Sequence, residues 1–198
     1  MFTGIIEAAG RVEKIEREGT NLHFTISSSI SDELKIDQSI AHDGVCLTVV
    51  ALAPGQHTVT AIEETLLRSR IGQWEVGTIV NLERAMKPNA RLDGHMVQGH
   101  VDKVGECISI EDRDGSWYFR FRYEPAPEHM LVDKGSVCVN GVSLTVVNPT
   151  EEEFSVAIIP YTYEHTNFNQ FQVGSKVNLE FDIIGKYIAR HMALYQQA

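Results

Sequence analysis

The sequence predicts a mainly β protein: two tandem, homologous, closed antiparallel barrels of six-stranded type, followed by a C-terminal α-helix. Three observations carry this. The chain matches itself at a nearly constant offset, each copy is built of short Val-, Ile- and Thr-rich runs between turn residues, and the end of the chain switches to helical periodicity. At an offset of 95, Met1–Gly10 lies on Met96–Gly105 and Leu22–Ile26 on Trp117–Phe121. At 97, Ser39–Val50 lies on Ser136–Val147 with seven of twelve positions identical, and Val76–Glu83 on Val173–Glu180 with six of eight. The copies meet near Met86–Gly94, where Pro, Asn, Asp and Gly break the pattern. The expected units are therefore 1–92, 93–182 and a terminal helix over 183–198.

Within the first copy, Leu22–Ser27, Cys46–Ala51, His57–Ile62 and Thr78–Leu82 read as strands, and several short strands at this spacing favour a closed barrel. Glu63–Ile71 and Tyr161–Gln170 hold long polar residues between strand runs and predict a helical turn or two. At the end, Ile184, Ile188, His191 and Tyr195 fall at i, i+4, i+7 and i+11, one helical stripe. Such a stripe needs cover, either from a barrel or from other copies of the chain in an oligomer.

Seventeen Lys and Arg against twenty-seven Asp and Glu give a net charge of −10, which argues against nucleic acid as a partner. No apolar run approaches membrane-spanning length and the N-terminus has no signal-like segment, so a cytoplasmic protein without membrane contact is expected. Cys46, Cys107 and Cys138 are odd in number and far apart, which excludes a disulfide framework and suits a reducing compartment. No CxxC pair is present, and His95 and His100 are five apart rather than four, so no metal site is expected.

The chemistry is sought where the copies agree and where they differ. In both, a tight turn (Asp43-Gly44, Asn140-Gly141) precedes V-[C/S]-L-T-V, and the period-two strand sets Cys46 with Thr48, and Ser143 with Thr145, on one face. Small polar residues are also simply tolerated on half-buried strands, but duplication of the whole phrase favours a shared use. The copies differ where Cys46 opposes Ser143, Ile5 opposes His100 and Ala85 opposes Asp182. An imidazole at His100 suits proton transfer near neutrality, whereas Asp182, at a strand end, equally suits a turn or helix cap.

These phrases, MFTGIIE (1–7), GVCLTV (44–49), EETLLR (63–68), NLERA (81–85), DGHMVQGHVD (93–102), NGVSLTVV (140–147) and VNLEFD (177–182), resemble the riboflavin synthase family of duplicated β-barrel enzymes along the whole chain. The resemblance implies a dismutation, the last step of riboflavin biosynthesis. Two molecules of 6,7-dimethyl-8-ribityllumazine exchange a four-carbon unit to give riboflavin and 5-amino-6-ribitylaminouracil, with no cofactor and no metal. It implies a homotrimer whose active site forms between the N-terminal barrel of one subunit and the C-terminal barrel of its neighbour. Association with a lumazine synthase is left open.

Carried over by motif, the N-barrel pocket takes Phe2, Thr3, Gly4, Ile5, Ile6, Ser39, Cys46, Leu47, Thr48 and the stretch Thr60, Ala61, Ile62, Glu63, Glu64, Thr65. The C-barrel pocket takes Gly99, His100, Val101, Lys134, Ser143, Leu144, Thr145, the stretch Ala157, Ile158, Ile159, Pro160, Tyr161, Thr162, and Asp182. The catalytic set implied is Cys46, His100, Ser143, Thr145 and Asp182. His100, assisted by Ser143 or Thr145, would move the proton at the donor methyl, and either Cys46 or a water would add to C7 of the acceptor. A non-catalytic lumazine- or flavin-binding antenna protein is the alternative, and it needs only one competent pocket. A flavin reductase barrel would require a Gly-rich βαβ unit that this sequence lacks.

Overall fold

The computed structural model describes residues 1–195; residues 196–198, the tail of the expected terminal helix, lie outside the described residues. The first barrel comprises β1 (Ala8–Glu18), β2 (Asn21–Ser27), β3 (Ser39–His42), β4 (Val45–Ala53), β5 (Gln56–Ala61) and β6 (Ile79–Arg84), with α1 (Glu63–Arg68) between the last two. The second comprises β7 (Lys103–Asp112), β8 (Trp117–Arg122), β9 (Ser136–Val139), β10 (Val142–Val147), β11 (Glu153–Ile158) and β12 (Lys176–Phe181), with α2 (Pro160–His165) in the place of α1. Around the rings the orders are β1-β2-β5-β4-β3-β6 and β10-β11-β8-β7-β12-β9, so both sheets close and neither leaves an edge. A terminal helix, α3 (Ile183–Tyr195), follows.

Alternation drives the apolar strands, with Leu22, Phe24 and Ile26 of β2 facing inward between less buried neighbours. The charged run of β1 gives no such signal. It is a strand because it pairs with β2 on one side and β6 on the other, bulging between Val12 and Lys14.

The two barrels dock through their turns. Gly44 and Gly141 sit at φ +78° and +82°, and a Cβ on either would lie 2.8 Å from the backbone nitrogen of the other. Around them Asn81 donates its side-chain amide to the Asn140 carbonyl at 2.8 Å, and Asn178 donates to the Asp43 carbonyl at 2.9 Å. Matching amides at an offset of 97 thus bind each barrel to the other's turn.

The interiors differ. The second barrel is filled by rings, Phe119, Phe121, Phe154, Phe168 and Phe171 among them. At the positions that Val139 and Phe154 fill there, the first barrel buries His42 and His57, their Nε2 atoms 2.9 Å apart. The line continues from His57 Nδ1 to Ser31 Oγ at 2.9 Å and from His42 Nδ1 to the Ile40 carbonyl at 3.3 Å. The lowered basicity of both buried rings keeps them neutral at pH 7, with one N–H shared between the two Nε2 atoms. Burial pushes both pKa values down, that of His57 to about 4.

Helix α3 does not turn its sequence stripe to a barrel: Ile184, Ile188 and Tyr195 remain 61%, 51% and 69% exposed. Its other side is tethered through Lys186 Nζ, 2.6 Å from Asp102 Oδ2.

The imidazole pair makes the first barrel acid-labile. An unfolded histidine titrates near 6.5, so between there and about 4 the unfolded chain binds more protons, and His57 alone withdraws up to about 3 kcal/mol as pH falls through that window. Denaturant unfolding at pH 7 and pH 4.5 should show the doubly substituted His42→Val, His57→Phe chain losing less stability on acidification than the parent. Equal losses would show that the pair does not govern the acid response.

Candidate active site

The phrase shared by the two copies, Val-Asn-Leu-Glu, sets an almost fully buried glutamate one residue before the end of each barrel's last strand: Glu83 on β6 and Glu180 on β12. Each carboxylate holds the segment that precedes its own barrel's first strand. Glu83 accepts from Thr3 N at 2.6 Å, Thr3 Oγ1 at 2.7 Å and Gly4 N at 2.9 Å. Glu180 accepts from Gln98 N at 2.6 Å and from Gly99 N and His100 N, both at 2.9 Å. Burial pushes both carboxyls up, Glu180 to about 7, against N–H donors that favour the ionised form.

Pinned at one side, each leader reaches the other barrel. The Gly4 carbonyl accepts from Ser143 N at 2.8 Å, and the Gly99 carbonyl accepts from Cys46 N at 2.8 Å. Phe2 and Val97 exchange backbone hydrogen bonds where the leaders pass. At φ +77° and +81°, Gly4 and Gly99 come so near that a Cβ would stand 2.5 Å from Ser143 Cβ and 2.6 Å from Cys46 Cβ. Side chains cross likewise: Val101 packs against the first barrel's core and Ile6 against the second's.

This corrects the grouping expected from the sequence. Cys46 shares a cleft of about 380 Å³ with Gly99, His100 and Val101, together with Thr65 from α1. Ser143 lies against Gly4, not against His100. Its hydroxyl is 2.6 Å from His95 Nδ1, so the base beside Ser143 is His95 rather than His100. Burial lowers the His95 pKa while the Asp182 charge opposes the shift, and the imidazole is neutral at pH 7. Asp182 also caps α3, its Oδ1 accepting from Ile184 N at 3.0 Å.

The remaining expected residues divide by exposure. Phe2, Leu47, Ala61 and Ile158 are buried in cores, so their side chains line no cleft. Thr48, Thr145, Lys134, Ala157, Glu63, Glu64 and Pro160 are exposed, as are Ile5, Ile62, Ile159 and Tyr161. Ser39, Thr60, Leu144 and Thr162 are half-buried. Thr60 Oγ1 is already engaged with His23 Nδ1 at 2.8 Å, and the Thr162 carbonyl with Thr166 Oγ1 at 2.7 Å. A broader hollow of about 860 Å³ flanks Thr3, Ile5 and Arg84, but it holds neither Cys46 nor Ser143. No cluster of three or more His, Cys, Asp or Glu suited to a metal ion occurs among the described residues. No helix among them is long and apolar enough to cross a membrane.

The sequence reading missed Glu83, Glu180 and the role of His95. The glutamates did carry a signal, an identical acid inside two apolar strand runs.

Comparison with known proteins agrees with this architecture. The lumazine binding domain family matches twice, over residues 3–85 and 98–182. The riboflavin synthases of Actinobacillus pleuropneumoniae and Bacillus subtilis are 40% and 41% identical over 193 residues, in each case 97% of this chain and 90% of the relative. That of Photobacterium phosphoreum is 42% identical over 96% of this chain and 88% of its own. Among solved structures, LumP complexed with riboflavin superposes with a TM-score of 0.84 at 20% identity, covering 92% of this chain and 100% of that one. LumP complexed with 6,7-dimethyl-8-(1'-D-ribityl) lumazine gives 0.82 at 22% identity, covering 91% and 98%.

Glu180→Ala leaves three backbone donors without their acceptor, at about 1–3 kcal/mol for each that stays buried. It should accelerate both amide exchange at Gly99 and His100 and alkylation of Cys46, while Glu83→Ala loosens Thr3 and Gly4 and leaves Cys46 unchanged. Equal effects of the two variants on Cys46 would refute the crossed assignment.

Proposed function

The chain belongs to the riboflavin synthase family, a family of enzymes, and from that membership we propose that it carries out the dismutation of two 6,7-dimethyl-8-ribityllumazine molecules to riboflavin and 5-amino-6-ribitylaminouracil. The observation that carries this reading is the doubled strand phrase: one fold presents a half-buried thiol at Cys46 and a half-buried hydroxyl at Ser143, each backed by the other barrel's leader. Two substrates need two such places, and an antenna protein needs one.

The chemistry suits a site without strong catalysts. The C7 methyl of the lumazine loses a proton readily because its carbanion delocalises into the heterocycle, which supplies the electron sink. The protein's main task is orientation, worth up to about 7–11 kcal/mol of barrier when two reactants are held in near-attack geometry. Neutral His95, hydrogen-bonded to Ser143, takes the methyl proton in one cleft. Cys46 or a water adds to C7 of the lumazine in the other. Exposed backbone and the hydroxyls of Thr48, Thr65 and Thr145 suit a ribityl chain.

The two clefts must face each other for transfer, and we assign that meeting to neighbouring subunits of a homotrimer. The exposed Ile184, Ile188 and Tyr195 side of α3 supports this, since its burial between copies contributes about 25 cal/mol per Å² of apolar area. Three free cysteines suit the reducing cytoplasm.

The direct experiment is purified protein incubated with the lumazine alone, following riboflavin absorbance. Turnover with one pyrimidine product per riboflavin supports the reading; stoichiometric binding without turnover selects the antenna role. His95→Gln should keep fold and ligand while lowering turnover about 10²- to 10⁴-fold and removing the acid limb of the pH profile. An unaltered profile would take the proton away from His95. Truncation before Ile184 should yield folded, inactive monomers by sedimentation and assay of one sample. An active monomer would overturn the intersubunit site.

A further inference from the structure

Three buried side-chain polar atoms among the described residues have no hydrogen-bond partner: Asp43 Oδ2, Trp74 Nε1 and His129 Nδ1. The first two account for each other. The Trp74 N–H acts on the Asp43 carboxyl, and Arg70 stands 3.9 Å from Oδ2. No hydrogen-bonding neighbour accounts for His129 Nδ1, although the exposed Glu124 carboxylate lies within electrostatic reach of the ring. Its ring lies flat on Phe181, centroids 4.6 Å apart at 13°, and is only 7% exposed. Its backbone is fixed too, N–H donating to the Ala126 carbonyl at 2.9 Å and its carbonyl accepting from Tyr123 Oη at 3.3 Å. A phenylalanine would fill this position and stack on Phe181 without burying a bare ring nitrogen, so packing does not explain an imidazole.

Position does. His129 stands between two hollows: it lines the Cys46 cleft beside Glu128 and Asp102, and on its other side a hollow of about 660 Å³ with Tyr123, Pro125 and Met130. The first copy offers no matching imidazole: the offset grows from 95 to 97 across this stretch, which sets Leu34 or Asp32 opposite His129, and the Asp32 carboxylate already accepts from Gly55 N at 2.7 Å. Placing the ring proton on Nε2 leaves the buried Nδ1 as an acceptor only and keeps the single N–H on the less buried nitrogen. We propose that His129 is a specificity-determining residue of the Cys46 cleft, donating that N–H to a carbonyl or hydroxyl oxygen of the bound ribityl heterocycle. It distinguishes this cleft from its twin and rests on the ligand reading of the preceding subsection.

Cys46 reports on the cleft, since it is half-buried while Cys107 and Cys138 are fully buried. Iodoacetamide alkylation of Cys46 in the full-length protein, with riboflavin as the protecting ligand, therefore measures occupancy. In His129→Phe, half-protection should need about tenfold more riboflavin, the loss of one hydrogen bond. The Tm should hold or rise, and His129→Gln, which restores a donor, should recover most of the protection. Wild-type protection with an unshifted His129→Phe titration would overturn the role of His129 alone. So would a fall in Tm in His129→Phe with no recovery by His129→Gln, which would mark a structural residue. Failure of riboflavin to protect the wild type would overturn the placement of ligand in this cleft, and the proposal with it.

Discussion

Two buried glutamates hold the molecule in its working form. Glu83 and Glu180 each gather three donors from the segment ahead of their own barrel. The interaction is costly to build, because a carboxylate taken out of water loses its hydration, as the upward shift of Glu180 to about 7 records. Converging N–H groups offset that cost. Once the leaders are held, the glycines at 4 and 99 place their carbonyls against Ser143 and Cys46, and the Cys46 cleft acquires a wall from the opposite barrel. The first barrel does not make its cleft alone.

Duplication then permits asymmetry at low structural risk. The scaffold is shared down to the paired turns at Gly44 and Gly141, while the filling differs: imidazoles at 42 and 57 against Val139 and Phe154, and a thiol at 46 against a hydroxyl at 143. Such differences leave the hydrogen-bonded rings intact, since side-chain exchange on a closed barrel changes no ladder. One fold thus presents two corresponding positions of unlike chemistry, a thiol at Cys46 and a hydroxyl at Ser143, for a reaction between two copies of one molecule.

Much of the fold is legible because the β-branched runs report burial and the 97-residue offset reports duplication, and the V-[C/S]-L-T-V phrase by itself points to Cys46 and Ser143. The charged β1 was not legible, since its strand character comes from pairing on both sides. The grouping of the site residues failed for a related reason. Offsets compare copies as if they were independent, whereas Gly99–Val101 sits with Cys46 and Gly4 with Ser143 only after the barrels dock. Metal-ligand spacing gives no signal at His95, because its partner Ser143 is 48 residues away.

The crossed construction is tested most directly by a crystal structure of the protein soaked with riboflavin. Density for one isoalloxazine ring in contact with both Cys46 and the Gly99–Val101 leader of the same chain is the result expected. A ring seated between Cys46 and the Thr3–Ile5 leader would contradict the account.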